Sequence, residues 1–360
     1  MKFDVKLYGG ASGDGVTNDT VAIQKTIDDA AKYLQAGGSP GPVYFSPSSK
    51  PYLVDTLTFP SVNKGWLTFL FDNVLLGNKV KIGSNNAYIG RGSNFAGLSG
   101  TFLPGPTSSW VQRASTQNFV ELNGVSEVYF EGINIQEQYS KFPTVYIHDD
   151  AGRGCVNVVF QRCVIGGGSA AIRMSPSSPN VPSGFNLSLL NCSLSALKNP
   201  TLDLVNTGFV TVRDGYLTSA AISCLNPQGS MGFKFENILS EGLDNCSFLT
   251  TSGLGGISDI VVDDVRLADA VGRHYLFKNA GKGAQVYIRR PGAGFQTLID
   301  PSSTPESIDL VAEGNGAKET YEQAASSLEF GQLTGSRGPA ILYYGESGHR
   351  YNGVALKIKP

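Results

Sequence analysis

"VYFEGINI", residues 128–135, places apolar side chains at alternate positions, breaks at Glu131–Gly132, and resumes a second short alternating run. The same pattern returns as VVFQRCVI from Val158, LSLLNCSL from Leu187, VTVRDGYL from Val210, FKFENILS from Phe233 and IVVDDVRL from Ile260. The third residues are Phe130, Phe160, Leu189, Val212, Phe235 and Val262, separated by 30, 29, 23, 23 and 27 positions. Alternation of period two is the signature of a strand. A recurrence at this interval is the signature of stacked structural units. Further strand-like pieces lie between the repeats: TVYIHDD, AAIRMSP, PTLDLVN, AAISCLN and HYLFKN. Each unit therefore holds three short strands and no helix of useful length. Units stacked in register would bring successive strands to about 4.8 Å. The expected fold is all-β, a three-sided parallel β-solenoid.

Stacking also accounts for the five cysteines, which include no CxxC pair. Cys163 and Cys192 fall at the same inward position of neighbouring units, and Cys224 is inward on another side. Buried free cysteine behaves as a small apolar residue, so core stacking is expected in place of disulfides or a zinc site. Asn191 and Asn237 fall at the two-residue corner, where tolerance of left-handed backbone is useful.

A solenoid leaves strand edges and core open at its ends. The segment YGGASGDGVTNDTVAIQKTI, residues 8–27, bears on this. It is not a Walker loop, because Asp14 stands where an anion would sit and no lysine follows. It also lacks the spacing of a dinucleotide fingerprint. Asn18 or Asp19 suits a helix N-cap. Ile23, Ile27, Ala30, Ala31 and Leu34 then form one apolar stripe, and Gly37–Gly38 ends it. An amphipathic helix over about residues 18–36 is expected to cap the first coil.

The stretch FDVKLYGGASGDGVTNDTVAIQKTIDDA from Phe3, continued by GPVYFSPSSKPYLV from Gly41, resembles the opening of the pectate-lyase-like parallel β-helix superfamily. The tyrosine-glycine step, the Gly-Asp-Gly turn and the Asp-Thr-x-Ala-Ile-Gln helix start carry the resemblance. It implies a right-handed β-helix over residues 1–300 with an elongated face for carbohydrate chains. The superfamily holds glycoside hydrolases, polysaccharide lyases, epimerases, phage tailspike depolymerases and noncatalytic members. The Gly-His-Gly and Arg-Ile-Lys motifs of polygalacturonases are absent here. RMSPSSP from Arg173 departs from the Arg-x-Pro-x-x-Arg of pectate lyases.

Composition agrees with a turn-rich β chain: 44 glycines in 360 residues and 16% charged residues. A formal net charge of −2 argues against nucleic acid as a partner. No apolar run reaches the length of a membrane span. Residues 1–10 lack the apolar core of a signal peptide, which leaves localisation open, extracellular and virion-associated settings included. After about residue 300 the pattern changes. DPSSTPES reads as a linker, and residues 301–360 as a C-terminal capping or oligomerisation segment, in a monomer or a homotrimer.

In the superfamily the cleft follows the strand before the first variable turn. Aligning those strands gives an outward row of Tyr146, Arg173, Asp203 and Ser223, with His148, Asp149 and Asp150 at the end of the first. Glycoside hydrolysis needs two carboxyl groups flanking a sugar ring. Asp203 and the Asp149/Asp150 pair, two coils apart, are expected about 10 Å from each other by strand spacing. The inverting separation is about 6.5–9.5 Å. The expected roles are Asp203, Asp150 and Asp149 in catalysis, and Arg173, Tyr146 and His148 in binding a polysaccharide or oligosaccharide. Hydrolysis needs no cofactor. Lyase chemistry would instead call for calcium on the aspartates and Arg173 as base. The plainer reading makes Arg173 and Asp203 a cross-strand ion pair and Asp149–Asp150 a polar turn. A noncatalytic glycan-binding or tailspike-like module is the alternative function.

Overall fold

A computed structural model describes residues 1–62, 65–83, 87–91, 109–113, 116–137, 141–150, 152, 154–176, 184–198, 200–218, 222–225, 232–242, 247–252, 257–268, 275–279, 284–289, 297–300, 308–313, 334–335 and 338–339. The chain divides into two units, Met1–Leu197 and Lys198–Pro360.

The first unit opens with β1 (Phe3–Asp4) and α1 (Thr20–Gln35). Ile23, Thr26, Ile27, Ala30, Ala31 and Leu34 form the buried face of α1. Gly37 ends the helix at φ 86°. Asp19 occupies the N-cap position, yet its carboxylate does not cap. It turns back and accepts the Ser12 and Gly13 amides at 2.6 and 3.0 Å. Asp14 likewise accepts the Thr17 hydroxyl and the Thr17 and Val16 amides, which holds its carboxyl well below the usual range. The amides of this loop thus already serve the chain's own carboxylates.

Strands β2 (Val43–Phe45), β3 (Tyr52–Phe59), β4 (Leu67–Phe71), β5 (Leu75–Ile82), β6 (Ala87–Arg91), β7 (Ser109–Gln112), β8 (Val120–Asn123) and β9 (Ser126–Glu131) follow. Then come β10 (Asn134–Gln136), β11 (Val145–His148), β12 (Cys155–Gln161), β13 (Val164–Gly166), β14 (Ile172–Met174), β15 (Gly184–Leu190) and β16 (Ser193–Ser195). All pair in parallel, in three ladders. One runs β1-β2-β4-β6-β9-β12-β15, the second β3-β5-β8-β11-β14, the third β5-β7-β10-β13-β16. This unit is a three-sided parallel β-solenoid. The register pairs Phe130 with Phe160 and Phe160 with Leu189, the residues that recur in the sequence pattern.

Inward positions stack from coil to coil. Phe45 lies on Phe71 at 3.9 Å between ring centroids, and Phe130 on Phe160 at 4.6 Å. Aromatic pairs of this kind add about 0.5–1.5 kcal/mol each beyond burial. Cys155, Cys163, Cys192 and Cys224 are buried and free. Cys246 lies outside the described residues.

The second unit repeats the principle. One ladder runs β17 (Leu202–Val205), β19 (Ile222–Leu225), β21 (Ser247–Ser252), β23 (Tyr275–Asn279) and β25 (Thr297–Ile299). The other runs β18 (Thr207–Thr218), β20 (Phe233–Glu241), β22 (Ile257–Ala268), β24 (Ala284–Arg289) and β26 (Ile308–Glu313). The long strands of this ladder share a corner at a left-handed residue, Asp214, Asn237 and Asp264 at φ 54°, 48° and 53°, and β18 has a second at Phe209, φ 51°. Parallel pairing of β26 with β24 carries the ladder past residue 300. Of the segment read as a linker, Asp300 is buried, with its amide on the Phe277 carbonyl and its carboxylate accepting the Ser247 hydroxyl; residues 301–307 lie outside the described residues.

Candidate functional site

The ladder β5-β8-β11-β14 positions the groups singled out in the first unit. Val120, Leu122, Val145, Ile147, Ile172 and Met174 point inward and are buried. Alternation then sends the residues between them outward. Lys81 pairs with Glu121, Glu121 with Tyr146, and Tyr146 with Arg173. Arg173 is exposed and Tyr146 half-buried. The expected juxtaposition of Tyr146 and Arg173 holds.

One pair further along, Asn123 faces His148. The imidazole stacks on the Tyr146 ring, 4.6 Å between centroids and 14° between planes. Its Nδ1 lies 3.1 Å from Asp150 Oδ1, and its Nε2 lies 3.4 Å from Glu121 Oε1. The second separation is an ion-pair distance without hydrogen-bond geometry. Asn123 Nδ2 donates to Asp150 Oδ2 at 2.9 Å, and the Asp150 amide donates back to Asn123 Oδ1 at 3.1 Å. Behind them, Lys79 pairs with Glu121. The side chains of Lys79, Glu121 and His148 are only 12%, 16% and 9% exposed, whereas that of Asp150 is 69% exposed. A solute approaching this face therefore meets Asp150 first.

Burial raises the Glu121 pKa, but the Lys79 hydrogen bond and charge, with His148, outweigh it and leave the carboxyl below its ordinary value. The histidine thus lies between two carboxylates.

Asp149 behaves differently from its neighbour. Its carboxylate is buried and accepts the Gly154 amide at 2.6 Å. It holds the turn that presents Asp150. Asp203 belongs to the second unit, half-buried on β17 between the inward Leu202 and Leu204. It pairs with Ser223, Ser223 with Thr250, and Thr250 with Lys278, which forms an outward row on that unit's own ladder. Among the described residues, no three of His, Cys, Asp and Glu converge as ligands for a metal ion.

Glu121, Lys79 and Asn123 were not singled out from the sequence. The signal was present in FVELNG from Phe119, where Val120 and Leu122 alternate as inward residues. It lies on the strand directly before the VYFEGINI segment.

No protein-family model matches the sequence, and no curated protein matches it. Several solved structures are similar in fold. A surface adhesin of Streptococcus pneumoniae, PfbA, aligns at a TM-score of 0.44 and 13% identity, over 87% of this chain and 90% of its own. The Dettilon tailspike protein aligns at 0.40 and 10% identity, over 86% of this chain and 68% of its own. An endo-xylogalacturonan hydrolase from Aspergillus tubingensis aligns at 0.36 and 12% identity, over 94% of this chain and 98% of its own.

Proposed function

We propose that the chain is a carbohydrate-active β-helix protein that binds a polysaccharide along the outward face of β8, β11 and β14 and cleaves it by hydrolysis. The observation that carries this reading is the row Lys81, Glu121, Tyr146, Arg173, flanked by His148, which lies against Tyr146 and Glu121 and reaches the exposed Asp150. A row spaced by strands, about 4.8 Å apart, follows an extended glycan whose units repeat on a similar scale. Tyr146 and Arg173 hold the chain. Asp150, oriented by His148 and Asn123, is the carboxylate that touches it. Asp149 supports the turn. Asp203, on the second unit, keeps its expected catalytic role and is tested by its own substitution.

The test is a panel of neutral and acidic polysaccharides, assayed for new reducing ends and for absorbance of unsaturated products. Reducing ends without unsaturation are expected. Asp150→Asn should then lower the rate about 10²–10⁴-fold, the contribution of a positioned acid or base. A rate equal to that of the wild type would place the chemistry elsewhere. Asp203→Asn, assayed in parallel, carries the same expectation.

The same cluster favours one second reading, a noncatalytic glycan-binding module. Glu121 is engaged by Lys79, Asp149 by the Gly154 amide and Asp150 by Asn123, as in a face built for binding alone. Retention of a polysaccharide with no product of either kind would select it.

A further inference from the structure

The ladder β4-β6-β9 carries outward groups on a different side of the first unit. Thr68, Tyr88 and Tyr129 occupy paired positions on its three strands, and Val159 follows on β12. The Trp66 indole is 46% exposed and lies against Tyr129, with ring centroids 5.6 Å apart and planes at 49°. The other tryptophan, Trp110, is fully buried. Leaving an indole in solvent forfeits its burial, so an exposed one invites a partner.

The phenols beside it are fixed. Tyr88 donates to Glu131 Oε2 at 2.9 Å, and Tyr129 to Glu127 Oε2 at 3.1 Å. Glu131 also pairs with Arg162, and Glu127 accepts the Asn157 amide. Burial raises both phenol pKa values, and for Tyr129 the bond to Glu127 adds to the effect. Both phenols therefore stay protonated as donors. The result is an aromatic surface held in place by its own hydrogen bonds and bordered by two carboxylates and one guanidinium.

We propose that Trp66 and Tyr129 form a second glycan-binding site, a stacking platform for an uncharged pyranose, on a ladder separate from that of Tyr146 and Arg173. The proposal rests on the reading of the chain as a glycan binder. The C–H face of a pyranose carries partial positive charge and packs on the negative face of an aromatic ring. Sugar hydroxyls are donors, and carboxylate oxygens are strong acceptors for them. Two carboxylates against one guanidinium repel a uronate, so this platform selects neutral sugars. The Arg173 row selects nothing of the kind.

The chain contains two tryptophans, and one is in the core, so a change in indole emission on binding reports Trp66. The full chain is titrated with soluble xylan, galactan, hydroxyethyl cellulose and starch, with polygalacturonate as the acidic contrast. An emission change with at least one neutral glycan, and none with polygalacturonate, is expected. In affinity gels containing the neutral glycan, Trp66→Ala should weaken retention by about three- to tenfold, the scale of one aromatic contact. Tyr129→Phe keeps the ring and should retain binding. Trp66→Phe, which preserves a ring at the surface, guards against loss of fold and should fall between. Undiminished retention of Trp66→Ala, or an equal emission change with polygalacturonate, would overturn the platform and leave the glycan reading standing. Wild-type chain retained by no glycan at all would overturn both.

Discussion

Glu121 shows how one buried carboxylate governs its surroundings. Its charge is sustained by Lys79 and His148 against the cost of burial. A carboxyl whose folded pKa is depressed contributes stability above its unfolded value, and that stability fades as pH falls through the folded value. Glu121→Gln removes the charge and leaves Lys79 with an unmatched ammonium. The expected loss at pH 7 is about 1–3 kcal/mol, the range for a charged partner left unsatisfied. The difference from the wild type should shrink as pH falls below the ordinary glutamate range and through the depressed folded value, where the wild-type carboxyl is also protonated. Urea midpoints from pH 3 to 8 check this, and parallel curves would contradict it. At this scale the sequence was partly legible. Alternation placed Tyr146 beside Arg173, because register follows from period. It did not show that His148 would be buried under Asp150, since that depends on a turn whose path no periodicity encodes. Nor did it mark Trp66, because an isolated aromatic carries no pattern.

At the scale of elements, three successive coils of the first unit, those of β9, β12 and β15, each bend at two left-handed residues. Gly132, Arg162 and Asn191 form one stack at φ 65°, 54° and 52°. Glu127, Asn157 and Asn186 form the other, at 56°, 53° and 63°. The second stack is tied together by side chains, since Asn186 donates to Asn157 and Asn157 to Glu127. Asparagine adopts this backbone at low cost, and a β-branched residue does not. Asn157→Val should therefore cost about 2–3 kcal/mol, combining about 1–2 for the backbone with about 1 for the lost hydrogen bond. Asn157→Gly relieves the backbone term and should cost about 1 kcal/mol. Chemical denaturation of the two variants separates the contributions, and equal losses would refute the backbone argument. The corner stack was readable from Asn191, where the alternation visibly breaks. The Asn157 stack was not, because it lies just before the alternating run that recurs from Val128, Val158 and Leu187.

At the scale of the molecule, the repeat determined the architecture because stacking forces like residues onto like. The cysteines show this most directly. Burial pushes the Cys155 thiol up to about 11, and Cys163 and Cys224 are raised as well. Thiolate is the reactive form, so native labelling at pH 8 should be slow at these three, and slow at Cys192 because it is buried, whereas denatured, unreduced chain should yield all five thiols. Fewer than five would reveal a disulfide, and fast labelling of more than one would show that the coils open readily. The helix α1 has a further consequence. Every coil is a template for the next, since its free amides and carbonyls match those of an identical strand. Assembly by such templating has no intrinsic length, and a seed with a bare face would recruit other chains into a filament. Ile23, Ile27 and Leu34 seal that face with side chains that offer no amide to copy. The helix is thus a termination signal, and deleting it would convert a protein of defined length into a nucleus for open-ended growth.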